Sequence, residues 1–433
     1  MPCSYLIEKF SPALLAAAER FGTPTYVMDM ATVEGAAGDV EAAFRPPWVL
    51  QYSLKANDLP AISSFLHKRG WGGNVVSTGE WQLARHGGIR NSAITFEGIG
   101  KTDAQLEFAV VEAAHGQPIR WLAVESAEEA DRLAELSERH QLGQAGRPPL
   151  DLLLRLNPQV NPETRAEFAV GKAASKFGMT EVQILALVRS GLFDRPGLRL
   201  RGIHVHTGSD LKDVGAWAAA GMRATRLLAE LARLEPTADT VDYGGGFPQA
   251  APSAPSPARF LAALTEALAG AGLPLPPRPA IEPGRFLVGR AGWLVTSVLH
   301  ARPAQADGGT ALTVIDAGMT ELIRPALYGS RHGVYALPPE RWRPDSVTAS
   351  SVHGPICEST DTFGIHQLPP LRRGDIVAIE DAGAYGASFT SRYNGRPAPV
   401  EIALWPDGSL ERCDRPEIVA SVPHTSSVPA MAG

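Results

Sequence analysis

The feature that most constrains this chain is an alternation, between residues 47 and 286, of short apolar runs with amphipathic segments of helical length. Strands that alternate with helices in this way indicate a parallel sheet with helical crossovers. Eight such runs occur, at Trp48–Leu54, Trp71–Val76, Ala93–Phe96, Ile119–Val124, Leu152–Leu156, Leu200–His206, Thr240–Tyr243 and Pro279–Glu282. Eight strands predict an α/β fold of the closed (β/α)8 TIM-barrel type. The alternative is an open doubly wound sheet, but the first strand-to-helix turn lacks the GxGxxG motif expected of it.

Helix candidates separate the predicted strands, and several begin with Ser or Thr and carry acidic residues in the first turn, which is typical of helix N-termini. They are Leu59–Lys68, Thr78–His86, Thr102–Ala114, Ala127–His140, Thr180–Ser190, Val214–Leu234 and Pro257–Ala269. A polar residue or a glycine stands at or just after the end of each predicted strand, namely Lys55, Ser77, Glu97, Glu125, Arg155, His206, Gly244 and Glu282. Because the carboxyl ends of barrel strands meet at one mouth, where active sites are built, this convergence predicts an enzyme.

After about residue 287 the pattern changes to strands without long helices between them, at Val288–Leu299, Ala311–Asp316, Asp375–Glu380 and Val400–Leu404. This change predicts a second, mostly β domain. The early strand Pro24–Met28 precedes the barrel and is expected to join that domain. We therefore expect a barrel at residues 30–286, a β domain built from residues 1–29 and 287–421, and a flexible tail at residues 422–433.

Composition argues against several classes of function. The net charge of −6 is spread along the chain, with no basic stripe for nucleic acid and no polybasic segment for a membrane surface. No uncharged apolar run approaches the roughly 20 residues that span a bilayer, and Glu8 and Lys9 interrupt the apolar core that a signal peptide would need. Three scattered cysteines predict neither a disulfide framework nor a metal site. A reducing, cytoplasmic compartment is therefore expected.

Lys55 ends an apolar strand in the segment VLQYSLKAND. Burial favours the neutral form of an amine, and the neutral amine is what reacts with a carbonyl group to form a Schiff base. The alternative is a lysine without a catalytic role, whose aliphatic stem lies along the strand end while its ammonium group reaches water. Lys55 considered by itself favours this alternative.

Two segments could hold a phosphate group. Gly244, Gly245 and Gly246 in DYGGGF would let backbone N–H groups approach an anion closely, although glycine runs also make plain turns. Ser209 in HVHTGS could donate a further hydrogen bond to the same phosphate.

Three polar side chains could face a cofactor ring. His204 and His206 point the same way on a strand, so His206 could stack on a ring, with a core histidine as the alternative. A paired-histidine metal site lacks a third ligand at suitable spacing. Glu282 in AIEPGR could keep a pyridine nitrogen protonated, which makes the ring a strong electron sink. An exposed acid at a turn is the alternative for Glu282.

With KAN, SKFG, HTGS, GGGF and EPGR in this order, the chain resembles the fold-type III pyridoxal-phosphate decarboxylases, whose barrel is of the alanine-racemase type. Its second half narrows the resemblance to the diaminopimelate decarboxylase family, through DAGMTELIRPALYG at 316–329, GPICESTD at 354–361 and DAGAYGASFTSRYNGRP at 381–397. The resemblance covers about Tyr26 to Glu401. It implies pyridoxal 5'-phosphate as cofactor, an amino acid as substrate, and decarboxylation as the reaction, with meso-diaminopimelate favoured.

The resemblance also assigns cofactor contacts to matching positions. Lys55 would bind the cofactor covalently, His206 would stack on its ring, and Glu282 would pair with the ring nitrogen. The remaining cofactor contacts would be Ser209, Gly244, Gly245, Gly246, Pro283, Gly284, Arg285 and Tyr385.

Substrate contacts follow from the same resemblance. Arg285 and Tyr385 would reach the substrate, and Arg324 with Tyr328 in RPALY would hold its far end. Glu358 would meet the far ammonium group. An arginine fork and an acid suit a substrate end that carries both a carboxylate and an amine. Without the resemblance, both charges would be ordinary surface residues.

Cys357 in PICES matches the family's proton donor, which returns a proton to Cα after carbon dioxide leaves. A buried structural thiol is the alternative for this residue. Members of the family are typically homodimers in which the CES segment enters the neighbouring barrel. The resemblance therefore implies a homodimer with shared active sites.

Several positions depart from the family pattern, at YSLKAN, HTGS, Thr320-Glu321, FTSRYN and the residues 168–171 before SKFG. They leave open a related decarboxylase that acts on ornithine, arginine, carboxynorspermidine, a siderophore intermediate or a carrier-tethered glutamyl group. A non-catalytic barrel that only binds the cofactor is an alternative of another class, but it would resemble the barrel alone. A racemase would not be expected to combine Glu282 with Cys357.

Overall fold

The structure, a computed structural model, describes residues 3–144, 146–172, 175–304, 310–338, 340, 347–416 and 418. The predicted tail at 422–433 lies outside the described residues, as do residues 417 and 419–421. The chain begins with helix α1 (Cys3–Phe21), strand β1 (Thr25–Asp29) and helix α2 (Met30–Ala43). Helix α2 starts where it does because the Asp29 side chain accepts a hydrogen bond from Thr32 N–H at 3.0 Å.

Eight parallel strands of the described chain close into a barrel, with the first hydrogen-bonded to the last. They are β2 (Val49–Ser53), β3 (Gly72–Val75), β4 (Ile94–Phe96), β5 (Trp121–Val124), β6 (Leu150–Leu156), β7 (Leu198–Val205), β8 (Thr240–Asp242) and β9 (Arg278–Ile281). Each strand coincides with a predicted run to within a few residues. The predicted closed barrel is confirmed, and the open sheet is excluded.

Helices between consecutive strands cover the outside of the barrel. They are α3 (Pro60–Lys68), α4 (Thr78–His86), α5 (Asp103–Ala114), α6 (Ala127–Arg139), α7 (Glu181–Arg189), α8 (Gly215–Leu231) and α9 (Pro257–Gly270). Ser77 and Ser126 cap α4 and α6, while Thr102 and Thr180 form capping boxes on α5 and α7. These caps satisfy backbone donors that each helix start would otherwise leave free.

An aromatic cluster anchors the loop that follows β8. Tyr243 and Phe247 flank the three glycines, and their rings lie 5.8 and 5.9 Å from the ring of Trp217 on α8. Phe260 on α9 packs perpendicular to Trp217 at 5.4 Å. Buried aromatic pairs of this kind add to the free energy of apolar burial. The glycine loop is therefore held at both ends by the barrel core.

The second half of the chain forms a sheet outside the barrel. Its elements are α10 (Arg285–Val288), β10 (Gly292–Arg302), β11 (Ala311–Ile315), α11 (Arg324–Tyr328), β12 (Val334–Leu337), β13 (Thr348–His353), β14 (Thr362–Leu368), β15 (Ile376–Ile379), β16 (Val400–Leu404) and β17 (Leu410–Arg412). Among the described strands the order is β14-β13-β11-β10-β1-β16-β17, with β15 paired to both β10 and β12. Strand β1 pairs with β10 and β16, so the early strand lies in this sheet. Together with the barrel this gives the predicted fold class.

Three features of the β domain differ from expectation. The strand expected from Val288 begins at Gly292, because Arg285–Val288 forms a short helix. Few residues of strands β13 and β14 are buried, namely Ser350, Val352, Phe363 and Leu368, which leaves only a weak apolar signal in the sequence. Helix α1 was also not foreseen, and it packs Phe10 against Trp293 of β10 at 5.6 Å. Among the described helices, none combines the length and apolar character of a membrane span.

Candidate active site

Lys55 lies in a single helical turn directly after β2 and lines two cavities at the barrel mouth. The smaller cavity, of about 40 Å3, is bounded by predicted cofactor contacts, which include His206, Ser209, Gly245, Gly246, Glu282 and Gly284. The larger, of about 420 Å3, is bounded by predicted substrate contacts, which include Arg324 and Tyr328. Arg285 and Tyr385 line both cavities. Residues far apart in sequence thus meet around one amine.

The backbone around Lys55 is tied to two other parts of the chain. Ser53 N–H donates to the carbonyl of Pro283 at 3.2 Å, which joins the lysine turn to the EPGR turn. Tyr385 N–H donates to the carbonyl of Ala56 at 2.7 Å, which joins it to the β domain. Tyr385 has a φ of 55°, a left-handed conformation that is costly for a bulky residue. Its backbone hydrogen bond holds it there, with the side chain at both cavities.

The glycine loop leaves no space for side chains. A Cβ atom on Gly245 would lie 2.6 Å from the carbonyl oxygen of Glu282, and one on Gly244 would lie 2.6 Å from that of Val205. Gly244 and Gly246 also have φ values of 70° and 102°, which favour glycine. A cradle of bare backbone fits the close approach of a phosphate group.

Arg285 adds a positive charge beside this cradle. Its Nε and Nη2 atoms lie 3.3 and 3.1 Å from Ser209 Oγ and donate to it. The guanidinium carbon lies 4.7 Å from the centre of the Tyr385 ring and 5.4 Å from that of Phe168. The two rings restrict the guanidinium by cation–π contact. Gly244 N–H and Gly245 N–H donate to Asp242 Oδ1 and His206 Nδ1, so the serine hydroxyl, the Gly246 N–H group and this cation are the groups that suit an anion.

His206 is held in one tautomer by the loop. Gly245 N–H donates to its Nδ1 atom at 3.1 Å, so the ring proton of neutral His206 resides on Nε2. Burial, followed by the positive charges of Lys55 and Arg155, lowers the pKa of His206 well below its usual value. A neutral imidazole at this position can lie against an aromatic cofactor ring without adding charge to it.

Glu282 belongs to a buried acidic group inside the barrel that also contains Glu97, Asp242 and His204. His204 Nε2 lies 3.2 Å from Glu97 Oε1 and 3.5 Å from Glu282 Oε2. Burial and then the charge of Glu97 raise the pKa of Glu282 well above its usual value. Spacing along the sequence offers no third ligand for a histidine metal site. In space, however, Glu97, His204 and Glu282 bring one potential ligand atom each within 4.8 Å of one another.

Arg324 presents a second buried cation to the larger cavity. It starts α11, is 9% exposed, and donates to the carbonyl of Ala384 at 3.3 Å. Burial and then the nearby charge of Arg285 lower the pKa of Arg324 to about 10, so the side chain remains charged at neutral pH. Tyr328, one helical turn further on, packs edge-on against Phe168 at 5.0 Å. The cavity therefore offers a charged grip for a carboxylate.

Cys357 and Glu358 are not brought to Lys55 within one chain. Both are exposed, and neither is among the residues that line the two cavities. Glu358 Oε1 accepts a hydrogen bond from the hydroxyl of Tyr393 at 2.8 Å. These two predicted site residues are therefore exposed on the β domain and contribute to neither cavity.

Several residues that line the larger cavity have no individual role predicted from the sequence. Glu97 and Arg155 were visible only as polar residues at strand ends, and Arg155 forms a buried ion pair with Glu125. Phe168 and Phe389 also line the cavity, although neither belongs to a strand end. Both lie in segments that depart from the family pattern, and that departure was the signal available in the sequence.

Comparison with known proteins agrees with this geometry. Residues 30–289 match the family described as "Pyridoxal-dependent decarboxylase, pyridoxal binding domain". The barrel, the lysine at its mouth and this match define a pyridoxal-dependent decarboxylase. The diaminopimelate decarboxylase of Zymomonas mobilis is 31% identical over 396 residues, which cover 89% of each chain. That of Deinococcus radiodurans is 33% identical and covers 91% of this chain and 93% of its own.

A solved structure, the diaminopimelate decarboxylase of Helicobacter pylori complexed with L-lysine, superposes with a TM-score of 0.81. It is 29% identical, and the alignment covers 92% of this chain and 95% of the other. The chain therefore belongs to the diaminopimelate decarboxylase family of fold-type III pyridoxal-phosphate enzymes. The expected family, cofactor and class of reaction are confirmed.

Proposed function

We propose that this protein removes one carboxylate from meso-diaminopimelate and yields L-lysine and carbon dioxide, with pyridoxal 5'-phosphate bound through Lys55. The observation that carries this proposal is that Lys55 lines two cavities at once. One has the backbone cradle and buried acid that suit the cofactor, and the other has the cation Arg324 that suits the substrate. A barrel that only carried cofactor would need the first cavity alone.

The residues of the smaller cavity fit the cofactor part by part. Under the proposal the Lys55 amine would bind its aldehyde carbon, the Gly246 N–H group and Ser209 would bind its phosphate, and neutral His206 would lie against its ring. Glu282 contacts the ring nitrogen. When bound, pyridoxal phosphate draws off the electron pair that remains at Cα as the carboxylate leaves.

Charges in the larger cavity select the far end of the substrate. Meso-diaminopimelate has an ammonium group and a carboxylate at each end, so the end that does not react still carries both charges. Arg324 can donate two parallel hydrogen bonds to the distal carboxylate. Tyr328 and Arg285 line the same cavity and restrict the substrate's orientation. Holding one end fixed aligns the other with the amine of Lys55.

We infer that the active enzyme is a homodimer in which each subunit completes the site of the other. Exposure of Cys357 and Glu358 on the outer surface supports this inference, because a partner's barrel can then receive them. In that arrangement Glu358 meets the distal ammonium group. Cys357 holds a proton on Sγ and delivers it to Cα after carbon dioxide has left.

A mixing experiment tests the shared site. The variants Lys55→Ala and Cys357→Ala are each expected to be inactive, because each lacks one part of both sites. Exchange of subunits between them should restore about a quarter of the wild-type activity, since half of the dimers are then mixed and each has one intact site. An inactive mixture in which native mass spectrometry detects mixed dimers would refute the sharing. Absence of dimers would refute it more directly.

The substrate is tested with a panel of amino acids assayed for release of carbon dioxide in the presence of added cofactor. Meso-diaminopimelate should give the highest kcat/KM, with L-lysine formed in equal amount. Ornithine, arginine, carboxynorspermidine and a carrier-tethered glutamyl group are the competing substrates. A higher kcat/KM for any of them would replace the substrate but retain the reaction. Racemisation without carbon dioxide release would contradict the reaction itself.

One observation favours keeping these competing substrates in the panel. Phe168, Val170 and Phe389 line the larger cavity and lie in segments that depart from the family pattern. The departure at Thr320-Glu321 has a different explanation, because Glu321 is buried and accepts hydrogen bonds from Gly318 N–H at 2.7 Å and Arg396 Nε at 3.1 Å. It changes packing in the β domain, whereas the phenylalanines change the surface that a substrate meets.

We further propose that the protein acts in the cytoplasm. Support comes from the exposed thiol of Cys357, which must stay reduced to deliver a proton. Fractionation of the source cells should recover the decarboxylase activity with the cytoplasmic fraction. Recovery in an oxidising compartment would contradict this location.

A further inference from the structure

Lys55 lies in a single helical turn, Leu54–Ala56, whose start has no side-chain cap. Turns of this 3-10 kind have poorer hydrogen-bond geometry than an α-helix. Contacts from outside the turn therefore determine where it lies. The barrel supplies one such contact, because the hydroxyl of Tyr52 on β2 donates to the carbonyl of Asn57 at 2.6 Å. The remaining contacts come from the β domain.

The loop after β15 holds the residues that follow Lys55. The carbonyl of Ala56 accepts a hydrogen bond from Tyr385 N–H at 2.7 Å. Asn57 is buried, and its Nδ2 atom donates to the carbonyl of Gly383 at 2.9 Å. These two contacts fix Ala56 and Asn57, whereas the next residue, Asp58, is held by a different part of the β domain.

Asp58 is held by the C-terminal segment, which we define as residues 413–416 after β17. Arg415 in this segment contacts Asp58 Oδ1 through its Nη1 atom. Its Nε and Nη2 atoms donate to the two carboxylate oxygens of Glu401 on β16, at 2.6 and 2.8 Å. None of the three side chains is more than 27% exposed. One planar guanidinium thus joins the lysine turn of the barrel to the sheet of the β domain.

The C-terminal segment is itself well placed to act as an anchor. Cys413 N–H donates to the carbonyl of Glu401 at 2.8 Å, which continues the pairing of β17 with β16. At the end of β16, the ring of Trp405 lies 6.3 Å from that of Phe65 on α3, the helix that follows the lysine turn. Arg415 therefore extends from a segment that is fixed on the sheet and lies close to the barrel.

Two features distinguish this ion pair from an ordinary surface pair, which contributes little. Asp58 is only three residues from Lys55 and follows a turn that has no side-chain cap at its start. The guanidinium also compensates two largely buried carboxylates at once, so its loss leaves both without their shared cation. Arg415 lies beyond Glu401, where the resemblance to the family ends, so the resemblance assigns no role to it.

We propose that Arg415 is a positioning residue that holds the Lys55 turn through Asp58. The C-terminal segment then takes part in catalysis although Arg415 is not among the residues that line the two cavities. This inference rests on the proposed function, because it assumes that Lys55 is the reacting amine. Loss of the anchor lets the turn move. A displacement of about 1 Å at a reacting group can lower the rate on the order of 100-fold.

Hydrogen exchange of the cofactor-free protein tests the anchor without any substrate. Two amides report on the turn, because Leu59 N–H donates to Asn57 Oδ1 at 3.1 Å and Tyr385 N–H donates to the carbonyl of Ala56. In Arg415→Gln both amides should exchange faster by about tenfold or more, since local opening becomes easier. Mass spectrometry of the peptides that contain these amides measures the rates.

A double-mutant cycle separates positioning of the turn from docking of the C-terminal segment on the sheet. Asp58→Ala leaves the pair between Arg415 and Glu401 intact, yet it should speed exchange as Arg415→Gln does. The double variant should resemble either single variant, because both substitutions remove the same contact. If Arg415 only docked its own segment, Asp58→Ala would exchange like the wild type. This variant also tests the proposal if Arg415→Gln fails to fold.

Kinetics with diaminopimelate and saturating cofactor provide a second measurement. In Arg415→Gln we expect kcat to fall by about tenfold to 100-fold. KM should change less than about twofold, because Arg324 and Tyr328, which line the larger cavity, are untouched. Arg412→Gln is the matched control, since Arg412 is a mostly exposed arginine that pairs with the neighbouring Asp414 at 2.8 Å. Its exchange rates and kcat should equal those of the wild type.

Three results would overturn the proposal. The first is wild-type exchange at both reporter amides in Arg415→Gln or in Asp58→Ala. The second is a double variant whose effect equals the sum of the two single effects. The third is a rise in KM with an unchanged kcat. Exchange is measured without cofactor or substrate, so failure here leaves the proposed decarboxylation standing, and a different substrate would leave the exchange result unchanged.

Discussion

Arg324 is a buried cation at the end of a cavity, and its described hydrogen bond is to the carbonyl of Ala384. Burial of a charge is costly unless an opposite charge compensates it. The lowered pKa of Arg324, at about 10, reports that cost, which arises from burial and from Arg285. Such a site is best explained by an anion that arrives with the substrate.

Arg324→Ala should therefore weaken recognition of diaminopimelate. Loss of a buried charge partner leaves the substrate carboxylate desolvated and unpaired, which costs roughly 2–5 kcal/mol. We expect kcat/KM to fall accordingly, mainly through KM, as measured by steady-state kinetics. The control is Arg331→Ala, an exposed arginine a few residues away. Equal kinetics in the wild type and Arg324→Ala would exclude Arg324 from recognition.

Cys357→Ala should lower turnover by orders of magnitude while the cofactor remains bound. The reason is that Cys357 lines neither cavity of the chain, so its loss leaves the cofactor contacts described above intact. Absorbance of the bound cofactor and the rate of lysine formation measure the two effects separately. Cys413→Ala is the matched control, since Cys413 is a half-buried free thiol in the β domain. Wild-type turnover in Cys357→Ala would refute the proton-donor role.

Individual site residues differ in how far the sequence could predict them. Lys55, Gly244 and Glu282 stand at strand ends, and barrel geometry brings strand ends together whatever the side chains are. The relation between Glu97 and Glu282 was not predictable, because it depends on a distance across the barrel between β4 and β9. The surroundings of His204, which contacts both acids, depend on the same distance. Spacing along the chain predicts neither the contact between the two acids nor the surroundings of the histidine.

At the scale of elements, the loop after β8 is fixed by close packing of backbone on backbone. Gly245 has no side chain because the carbonyl oxygen of Glu282 occupies the space where a Cβ atom would lie. The same loop donates to His206 at 3.1 Å. The loop that contains the three glycines therefore also packs against Glu282 and fixes His206.

Gly245→Ala should push this loop away from Glu282 and weaken cofactor binding by about tenfold or more, which corresponds to roughly 1.4 kcal/mol. Spectroscopic titration of the cofactor-free protein with pyridoxal phosphate measures the dissociation constant. Gly270→Ala is the matched control, because a Cβ atom at that helix end meets nothing within 4 Å. Unchanged affinity in Gly245→Ala would show that the phosphate is held elsewhere.

Periodicity predicted the elements of the barrel better than those of the β domain. Parallel strands buried on both faces appear as continuous apolar runs, and the intervening helices have clear capping residues. Strand β13, with the sequence TASSVH, buries only alternate residues and is too polar for that pattern. Helix α1 packs on a sheet formed from distant strands, so its place could not follow from its own sequence.

At the scale of the whole molecule, buried histidines make stability depend on pH. His332 donates from Nδ1 to the carbonyl of Glu380 at 3.0 Å, and burial is the main cause that lowers its pKa to about 4. The usual value is 6.5. Between these values the unfolded chain binds a proton at this residue that the folded chain does not bind. This histidine therefore reduces stability as the pH falls below 6.5.

His332→Asn should remove this contribution while retaining a donor for the Glu380 carbonyl. The wild type should lose up to roughly 3 kcal/mol more stability than His332→Asn as the pH is lowered from 6.5 to 4, at about 1.4 kcal/mol per pH unit. Urea unfolding at several pH values measures the difference. His115→Asn, at an exposed helix end, should leave the pH dependence unchanged. Parallel curves for the wild type and His332→Asn would contradict the expected titration.

The sequence predicted a two-part molecule, but not how its parts meet at the site. Tyr385 and Arg324 reach the barrel mouth because β-domain backbone bonds to Ala56 and α11 lies beside the cavity. These contacts join residues more than 250 positions apart, which periodicity cannot detect. The resemblance to a family supplied the roles of both residues in advance, and the physics of the site explains why the roles are feasible.

The most direct test of this account is to locate the cofactor on the chain. The protein loaded with pyridoxal phosphate is reduced with borohydride, digested and analysed by mass spectrometry. We predict that the pyridoxyl group is found on the peptide that contains Lys55, and that Lys55→Ala retains neither the group nor the visible absorbance. A pyridoxyl group on another lysine, or unchanged absorbance and decarboxylation in Lys55→Ala, would contradict the account.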